Sequence, residues 1–171
     1  MAGEALTAAR LIEMLRLEPL PVEGGHFRQT WRSRDGIGAL DRFHRDKVAG
    51  TAIYYLLSAD PDSFSALHRL PTDEIYHFYL GDPVELLMLG DSGSVEKVVL
   101  GPDLPAGQRV QHVVPRGVWQ GSRLRDGGRF ALLGTTMAPG YDPGDYENGT
   151  RADLVARYPE ATAEITRLTR T

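Results

Sequence analysis

Cysteine is absent from the 171-residue chain, and its absence excludes several kinds of chemistry. Without a thiol the protein has no disulfide bonds, no thiolate nucleophile, no zinc–thiolate site and no iron–sulfur cluster. Lysine is scarce as well, because Lys47 and Lys97 are the only two in the sequence. Candidate functional groups are therefore sought among the histidines, carboxylates, arginines and tyrosines.

Long hydrophobic runs and an excess of positive charge are also lacking. No apolar stretch approaches the roughly 20 residues that span a bilayer, and Met1-Ala2-Gly3-Glu4 does not resemble the basic start of a signal peptide. The 19 basic residues are outnumbered by 23 acidic ones, giving a formal net charge of −4, whereas a general nucleic-acid binder is strongly positive. We therefore expect a cytoplasmic protein that binds neither membranes nor nucleic acid.

The order of the sequence patterns predicts an all-β domain with short helices at both ends. Apolar residues recur at helical spacing over about residues 4–17. A strand is predicted at 26–32 and a loop at 35–49; eight short β runs separated by Gly, Pro and Asp turns then extend to residue 138. Residues 139–171 are predicted to be an irregular and helical tail. The chain is thus expected to form one domain over residues 1–171, with a β-barrel at about 26–138.

Two neighbouring β runs carry residues that can perform chemistry. His68 lies near the end of one run and Glu74 begins the next, so an imidazole and a carboxylate can reach one point inside a barrel. Because alternate residues of a strand share a face, Tyr76 and Phe78 are predicted to lie on the side of Glu74. By the same rule Phe64 and Ala66 are predicted to lie on the side of His68. Such a pair forms either a metal site or an acid/base pair.

The spacing of these residues resembles the two motifs of the cupin superfamily. The first motif, H-x-H-x3-E-x6-G, lies on His68, Leu70, Glu74 and Gly81. The second motif, P-x-G-x2-H, lies on Pro115, Gly117 and Gln120. Longer stretches resemble the cupin group named DUF985, and the likeness covers almost the whole chain: residues 24–30, 68–69, 73–81, 114–119 and 138–141.

The resemblance implies a double-stranded β-helix, or jelly-roll barrel, usually paired as a homodimer. The architecture is similar to that of sugar-nucleotide epimerases and plant storage proteins. The superfamily's usual metal site has three histidines and one glutamate; His68 and Glu74 match two of these positions, whereas Leu70 and Gln120 replace histidines. Leucine cannot bind a metal, and glutamine is a poor ligand beside imidazole. We predict no cofactor; a divalent metal, if bound, would be held weakly by His68, Glu74 and Gln120.

Further residues are candidates for ligand binding. Arg28 follows a diglycine turn and can hold a phosphate or carboxylate, or can equally pair at the surface. The cupin motif favours Gln120 in the pocket, and Tyr76 and Phe78 either line the barrel or pack in its core. Tyr141 belongs to a segment that also contains Asp142, Asp145 and Tyr146 and forms either a lid or an ordinary tail.

Other conspicuous side chains are assigned to packing. His77 points away from Glu74 on a strand and is predicted to be a packed or interface residue, as are His44 and His112. Trp119 alternates with Gln120 and is therefore left to the core or to a dimer interface. Residues 53–57 are apolar on both sides, and Trp31 has no obvious place inside one barrel. These features predict a homodimer.

The functional prediction is an enzyme that isomerises or epimerises a small polar metabolite inside the barrel by proton transfer. His68 would act as the base, with Glu74 or a tyrosine as its partner. Metal-dependent lyase or dioxygenase chemistry is one alternative. The other is a non-catalytic protein that binds or stores a metabolite.

Overall fold

A computed structural model describes residues 5–38 and 46–170 of the chain, which form mainly antiparallel β-strands. The helices are α1 (Ala8–Leu15), α2 (Arg151–Arg157) and α3 (Thr162–Arg167), with 3-10 turns at Pro143–Asp145 and Pro159–Ala161. The strands are β1 (Glu18–Pro19), β2 (His26–Arg32), β3 (Gly36–Ile37), β4 (Lys47–Val48), β5 (Thr51–Ser58), β6 (Phe64–Arg69), β7 (Glu74–Gly81), β8 (Val84–Leu89), β9 (Val95–Leu100), β10 (Gln111–Val114), β11 (Trp119–Leu124), β12 (Phe130–Met137) and β13 (Glu147–Asn148).

The strands form two large sheets that enclose the main core. One sheet has the order β1-β2-β5-β12-β7-β10, and the other has the order β13-β6-β11-β8-β9. The core cluster between them joins residues of the first sheet, such as Tyr76 and Leu133, to residues of the second, such as Leu86 and Leu100. Apart from β1-β2 and β8-β9, the neighbouring strands of the two large sheets are not consecutive in the chain, as expected for a jelly roll. The predicted all-β fold is confirmed.

The terminal helices cover the outer faces of the two sheets. Helix α1 packs Leu11 against Leu56 of the six-stranded sheet. Helices α2 and α3 pack Leu154 and Ile165 against the five-stranded sheet, where Trp119 is also buried. Trp119 therefore has a place within a single chain, and its predicted assignment to core packing is the correct one of the two alternatives. Among the described helices, none is long and apolar enough to cross a membrane.

Local sequence signals explain where the terminal helices begin. Thr7 accepts a hydrogen bond from the backbone N–H of Arg10 and caps α1, so this helix begins later than the predicted residue 4. Thr150 caps α2 in the same way through the N–H of Asp153. The segment 35–49 differs from the predicted loop, because β3 and β4 pair within it. Its residues 39–45, including His44, lie outside the described part of the chain.

A β-bulge in β6 decides which side chains face the inside of the barrel. Gln120 pairs with His68 and Ser122 pairs with Ser65, so the single residue between them on β11 lies opposite two residues of β6. The extra residue places Ser65 on the same face as His68. Phe64 packs instead against the cluster beneath the C-terminal helices. The prediction that Phe64 shares the inward face of His68 is therefore wrong.

Candidate functional site

A cavity of about 420 Å³ opens between the two sheets at one end of the barrel. Two carboxylates, Glu23 and Glu74, and the imidazole of His68 line it. Three tyrosines line it as well: Tyr55, Tyr76 and Tyr141. This combination of apolar walls and a few converging polar groups is typical of small-molecule sites.

His68 is held in one orientation at the wall of this cavity. Its side chain is only 1% exposed, and Nδ1–H donates a hydrogen bond of 2.8 Å to the carbonyl oxygen of Ala66. The ring of Tyr146 stacks on the imidazole with a centroid distance of 4.9 Å. Since a carbonyl can only accept, the neutral ring carries its hydrogen on Nδ1 and its lone pair on Nε2. Within residues 5–38 and 46–170, no protein group hydrogen-bonds to Nε2.

Glu74 is the buried carboxylate of the cavity. It is 7% exposed, and its Oε2 accepts a hydrogen bond of 2.8 Å from the Nε2 of Gln120. Burial raises the pKa of Glu74, although the charge of His68 and hydrogen bonds from Thr135 and Gln120 oppose that rise. The carboxyl group is thus poised to hold a proton at a higher pH than an exposed glutamate would.

The tyrosine hydroxyls of the cavity stay protonated. Burial, together with nearby carboxylates, raises the pKa of Tyr55 and Tyr76 well above the usual value. The same causes raise the pKa of Tyr141 to about 12. The hydroxyl of Tyr55 donates to the carbonyl oxygen of Gly24 at 2.9 Å. The hydroxyls of Tyr76 and Tyr141 are therefore available as hydrogen-bond donors to a ligand at neutral pH, whereas the single hydrogen of Tyr55 is already used.

The segment from Tyr141 to Asn148 covers the cavity. Tyr141 and Pro143 line it, and Tyr146 lies on His68. A buried ion pair between Lys47 and Asp145 attaches the segment to β4, and strand β13 within it pairs with β6. Of the two sequence alternatives, a lid and an ordinary tail, the contacts favour a cover over the cavity.

Known proteins resemble this chain in sequence, and two of them resemble it in fold as well. A sequence model of the family described as the cupin superfamily (DUF985) matches residues 9–148. The chain belongs to this family. A structure described as a hypothetical protein from Leishmania major is 31% identical, covers 97% of this chain and 100% of its own, and has a TM-score of 0.86.

Two further relatives cover most of the cupin chain. A crystal structure of a Shewanella oneidensis protein is 32% identical, covers 97% of this chain and 99% of its own, and has a TM-score of 0.85. An uncharacterized protein of Saccharomyces cerevisiae is 29% identical over 158 residues, which cover 84% of this chain and 77% of the yeast protein. The printed names of these relatives assign no activity.

The structure places some predicted ligand-binding residues of this cupin away from the cavity. Arg28 lies over the ring of Tyr54, at 5.5 Å, on the outer face of the six-stranded sheet, because its neighbours Phe27 and Gln29 take the inward positions. The prediction that Arg28 binds ligand therefore lacks a geometric basis. Phe78 does share the inward face of Tyr76, but it packs in the core rather than along the cavity.

Gln120 acts behind the cavity wall rather than on it. It is 1% exposed and bonds to Glu74, and it does not line the cavity. The hydrogen bond from Gln120 orients the carboxylate of Glu74, and the side chain of Gln120 does not face a ligand in the cavity. Tyr76 and Tyr141, by contrast, line the cavity as their predicted roles require.

Sequence reasoning missed Glu23, Gln29 and Arg32, all of which line the cavity. A second bulge explains two of them: the pairing of β2 with β5 shifts between Gln29 and Trp31, so Gln29 and Arg32 share a face although three positions separate them. Glu23 lies in a turn, where no periodicity applies. Its position directly before Gly24-Gly25 was the one available signal.

The donor set does not fit the metal site that is usual for the superfamily. Leu70 stands at one ligand position and lines the cavity with an apolar side chain. The amide of Gln120 donates to Glu74, so its Nε2 is turned toward the carboxylate. Across residues 5–38 and 46–170, no three His, Asp or Glu side chains are grouped as metal ligands would be. His68 and Glu74 remain as two donors, too few for a tight transition-metal site.

Proposed function

We propose that this cupin is an isomerase or epimerase that moves a proton on a small polar metabolite held in the cavity. The observation that carries the proposal is the orientation of His68. Its Nδ1–H is anchored to a backbone carbonyl, which leaves the basic Nε2 for a ligand in the cavity. A positioned imidazole of this kind is the commonest general base in enzymes.

The reaction proceeds by enolisation. His68 Nε2 takes a proton from a carbon beside a carbonyl group, and the electrons of the C–H bond move to the carbonyl oxygen. A tyrosine hydroxyl or protonated Glu74 stabilises the enolate by hydrogen bonding. For epimerisation, protonated Glu74 gives its proton to the opposite face of the same carbon, the carbonyl re-forms, and the proton on His68 passes to solvent. For isomerisation, the proton on His68 passes instead to a neighbouring atom. The raised pKa of Glu74 supports its part as the acid.

Hydrogen exchange with solvent tests this function. The protein is incubated in D₂O with a panel of hydroxy-aldehydes, hydroxy-ketones and sugars, and proton NMR follows the signal of each C–H beside a carbonyl. We expect deuterium to replace that hydrogen in at least one compound with the wild type and not with His68→Ala. The Arg28→Ala variant, which changes a half-buried residue away from the cavity, serves as the control and should exchange at the wild-type rate.

A compound that binds in the cavity without exchanging hydrogen would favour the second candidate class, a non-catalytic metabolite-binding protein. Equal exchange with wild type and with His68→Ala would instead show that His68 is not the base.

We also propose that the protein is a homodimer, since aromatic side chains lie exposed on the outer face of the six-stranded sheet.

A further inference from the structure

Glu23 lies in a constrained turn, the connection between β1 and β2. Val22 has φ of 68°, a left-handed conformation that is unfavourable for a β-branched residue. Gly24 and Gly25 also have positive φ values, of 102° and 71°. A Cβ on Gly25 would lie 2.9 Å from the carbonyl oxygen of Leu56 and equally close to the hydroxyl of Tyr55.

Contacts from distant parts of the chain hold this turn in place. The N–H of Ala66 donates to the carbonyl oxygen of Glu23 at 2.8 Å, and Arg170 donates to the carbonyl oxygen of Val22 at 3.1 Å. The hydroxyl of Ser65 donates to Oε1 of the Glu23 carboxylate at 2.7 Å. The strained backbone and these bonds together fix one carboxylate at the cavity wall. Strain of this kind concentrates at functional sites.

The surroundings of Glu23 are aromatic and acidic. Phe27, Tyr55, Tyr76 and Tyr141 present rings around the cavity, and Glu74 is the second carboxylate. The side chain of Tyr76 is 1% exposed, and its hydroxyl has no hydrogen-bond partner among the residues that the structure describes. An unpartnered hydroxyl on a residue that lines the cavity can donate a hydrogen bond to a polar group of a ligand.

Among the described residues that line the cavity, only Arg32 carries a permanent positive charge, and it lies at the rim. Arg32 is exposed and donates at 3.5 Å to the carbonyl oxygen of Tyr141 in the covering segment. The interior therefore presents carboxylates and aromatic side chains, and both kinds of group can attract cations. An anionic group would meet both carboxylates inside and would gain a partner only at the entrance.

We propose that Glu23 is a ligand-binding residue and that, with the aromatic walls, it selects a ligand whose inner end is an organic cation such as an alkylammonium group. The proposal rests on the same cavity as the proposed function and names the class of its substrate. The Glu23 carboxylate forms the ion pair, and the faces of the tyrosines surround the cationic head.

Three probes of nearly equal size and shape test this selection: choline, its uncharged analogue 3,3-dimethylbutan-1-ol, and the anion 3,3-dimethylbutanoate. Binding to the wild-type protein is measured for each by ligand-observed NMR titration at constant ionic strength. We expect choline to bind about tenfold more tightly than the neutral alcohol, as a cation–π and carboxylate contact would give. We expect the anion to bind least.

Variants then assign the preference to Glu23. Glu23→Gln keeps the shape and should reduce choline affinity about fivefold or more while leaving the neutral alcohol unchanged, as expected for loss of one charge contact. Glu18→Gln, an exposed carboxylate on the adjoining strand, is the matched control and should bind all probes as the wild type does. Thermal melting confirms that each variant is folded.

The proposal is overturned if choline binds no better than the alcohol, if the anion binds best, if no probe binds, or if Glu23→Gln keeps the full preference. The wild-type comparison decides the question even where a variant fails to fold. Cation preference without hydrogen exchange in D₂O would leave this inference intact and remove the proposed catalysis. Exchange with a neutral compound and no cation preference would do the reverse.

Discussion

The imidazole of His68 takes its orientation from a single backbone carbonyl, that of Ala66. Glu74 is fixed from behind by Gln120, which stands where the superfamily motif has a histidine. One substitution thus exchanges a metal ligand for an amide that supports a carboxylate. The pair that results is suited to moving protons rather than to holding a metal.

Glu74 gives the pH dependence of stability a definite sign. Burial raises its folded-state pKa, so the folded chain binds this proton more tightly than the unfolded chain does. The stability it contributes is present below the pKa of unfolded glutamate and is lost as the pH rises through the raised folded pKa. The glutamine of Glu74→Gln does not titrate. The free energy of unfolding of the variant minus that of the wild type should therefore increase as the pH rises from about 4 to about 7.

Urea denaturation of both proteins at the two pH values checks this prediction, with Glu18→Gln as the control. A difference between Glu74→Gln and wild type that stays constant with pH, or that moves against the variant as the pH rises, would contradict it. A constant difference would mean that folding does not shift the pKa of Glu74, and a difference that moves against the variant would mean that folding stabilises the charged form.

At the level of strands and loops, bulges and the covering segment build the site. The bulge in β6 brings Ser65 to the face of His68, and the segment from Tyr141 to Asn148 closes over the imidazole. Tyr146 in this segment has a buried hydroxyl without a hydrogen-bond partner in the part of the chain described. Its contribution to folding therefore comes from the packing of its half-buried ring, of which the stack on His68 is one part.

Two substitutions of Tyr146 separate the hydroxyl from the ring. Tyr146→Phe should leave the free energy of unfolding unchanged or raise it by up to about 1 kcal/mol, because an unpaired buried hydroxyl is unfavourable. Tyr146→Ala should lower it by about 3 kcal/mol, because it removes the stacked ring. Chemical denaturation measures both, and a loss above about 1.5 kcal/mol for Tyr146→Phe would show that the hydroxyl makes a stabilising bond.

The positions of several strands could be predicted from local sequence patterns. Three of the eight predicted β runs coincide with β5, β8 and β9, because turn residues bound them on both sides. The spacing of the motif residues also predicted that His68 and Glu74 share one site, and both line the cavity. The inward placement of Ser65 and Arg32 could not be predicted, since a bulge breaks the two-residue period without a sequence signal. Glu23 depends on bonds from residues as distant as Arg170, which local patterns do not contain.

For the molecule as a whole, helix α1 leaves part of the outer face of the six-stranded sheet uncovered, and this part carries aromatic side chains. Tyr79 is 49% exposed and Trp31 is 50% exposed on it. His77 stacks beside Tyr79 at 6.4 Å, in agreement with its predicted outward direction. Exposed aromatic groups on a sheet face are typical of interaction surfaces. The organisation as one domain over residues 1–171 remains a prediction.

We expect a homodimer that buries this face. Light scattering at micromolar concentration should give twice the monomer mass, and Tyr79→Glu should shift it to the monomer, because a charge would be buried at the interface. Leu104→Glu, which alters an equally exposed apolar residue in the loop between β9 and β10, should remain dimeric. A monomeric mass for the wild type would contradict the prediction.

Metal content provides a second test on the whole protein. With two donors in place of four, protein purified without added metal should contain far less than one transition-metal ion per chain. Elemental analysis after dialysis measures this content. A stoichiometric metal that survives dialysis would mean that groups other than His68 and Glu74 complete a site.

The most direct test of the central claim, that His68 serves a ligand and not the core, compares binding and melting of His68→Ala. A metabolite that raises the melting temperature of the wild type is first found by thermal shift. Functional polar groups are seldom optimal for stability, so His68→Ala should melt within a few degrees of wild type, or above it, and should no longer bind that metabolite. A variant that melts much earlier yet binds with unchanged affinity would show that His68 is a structural residue.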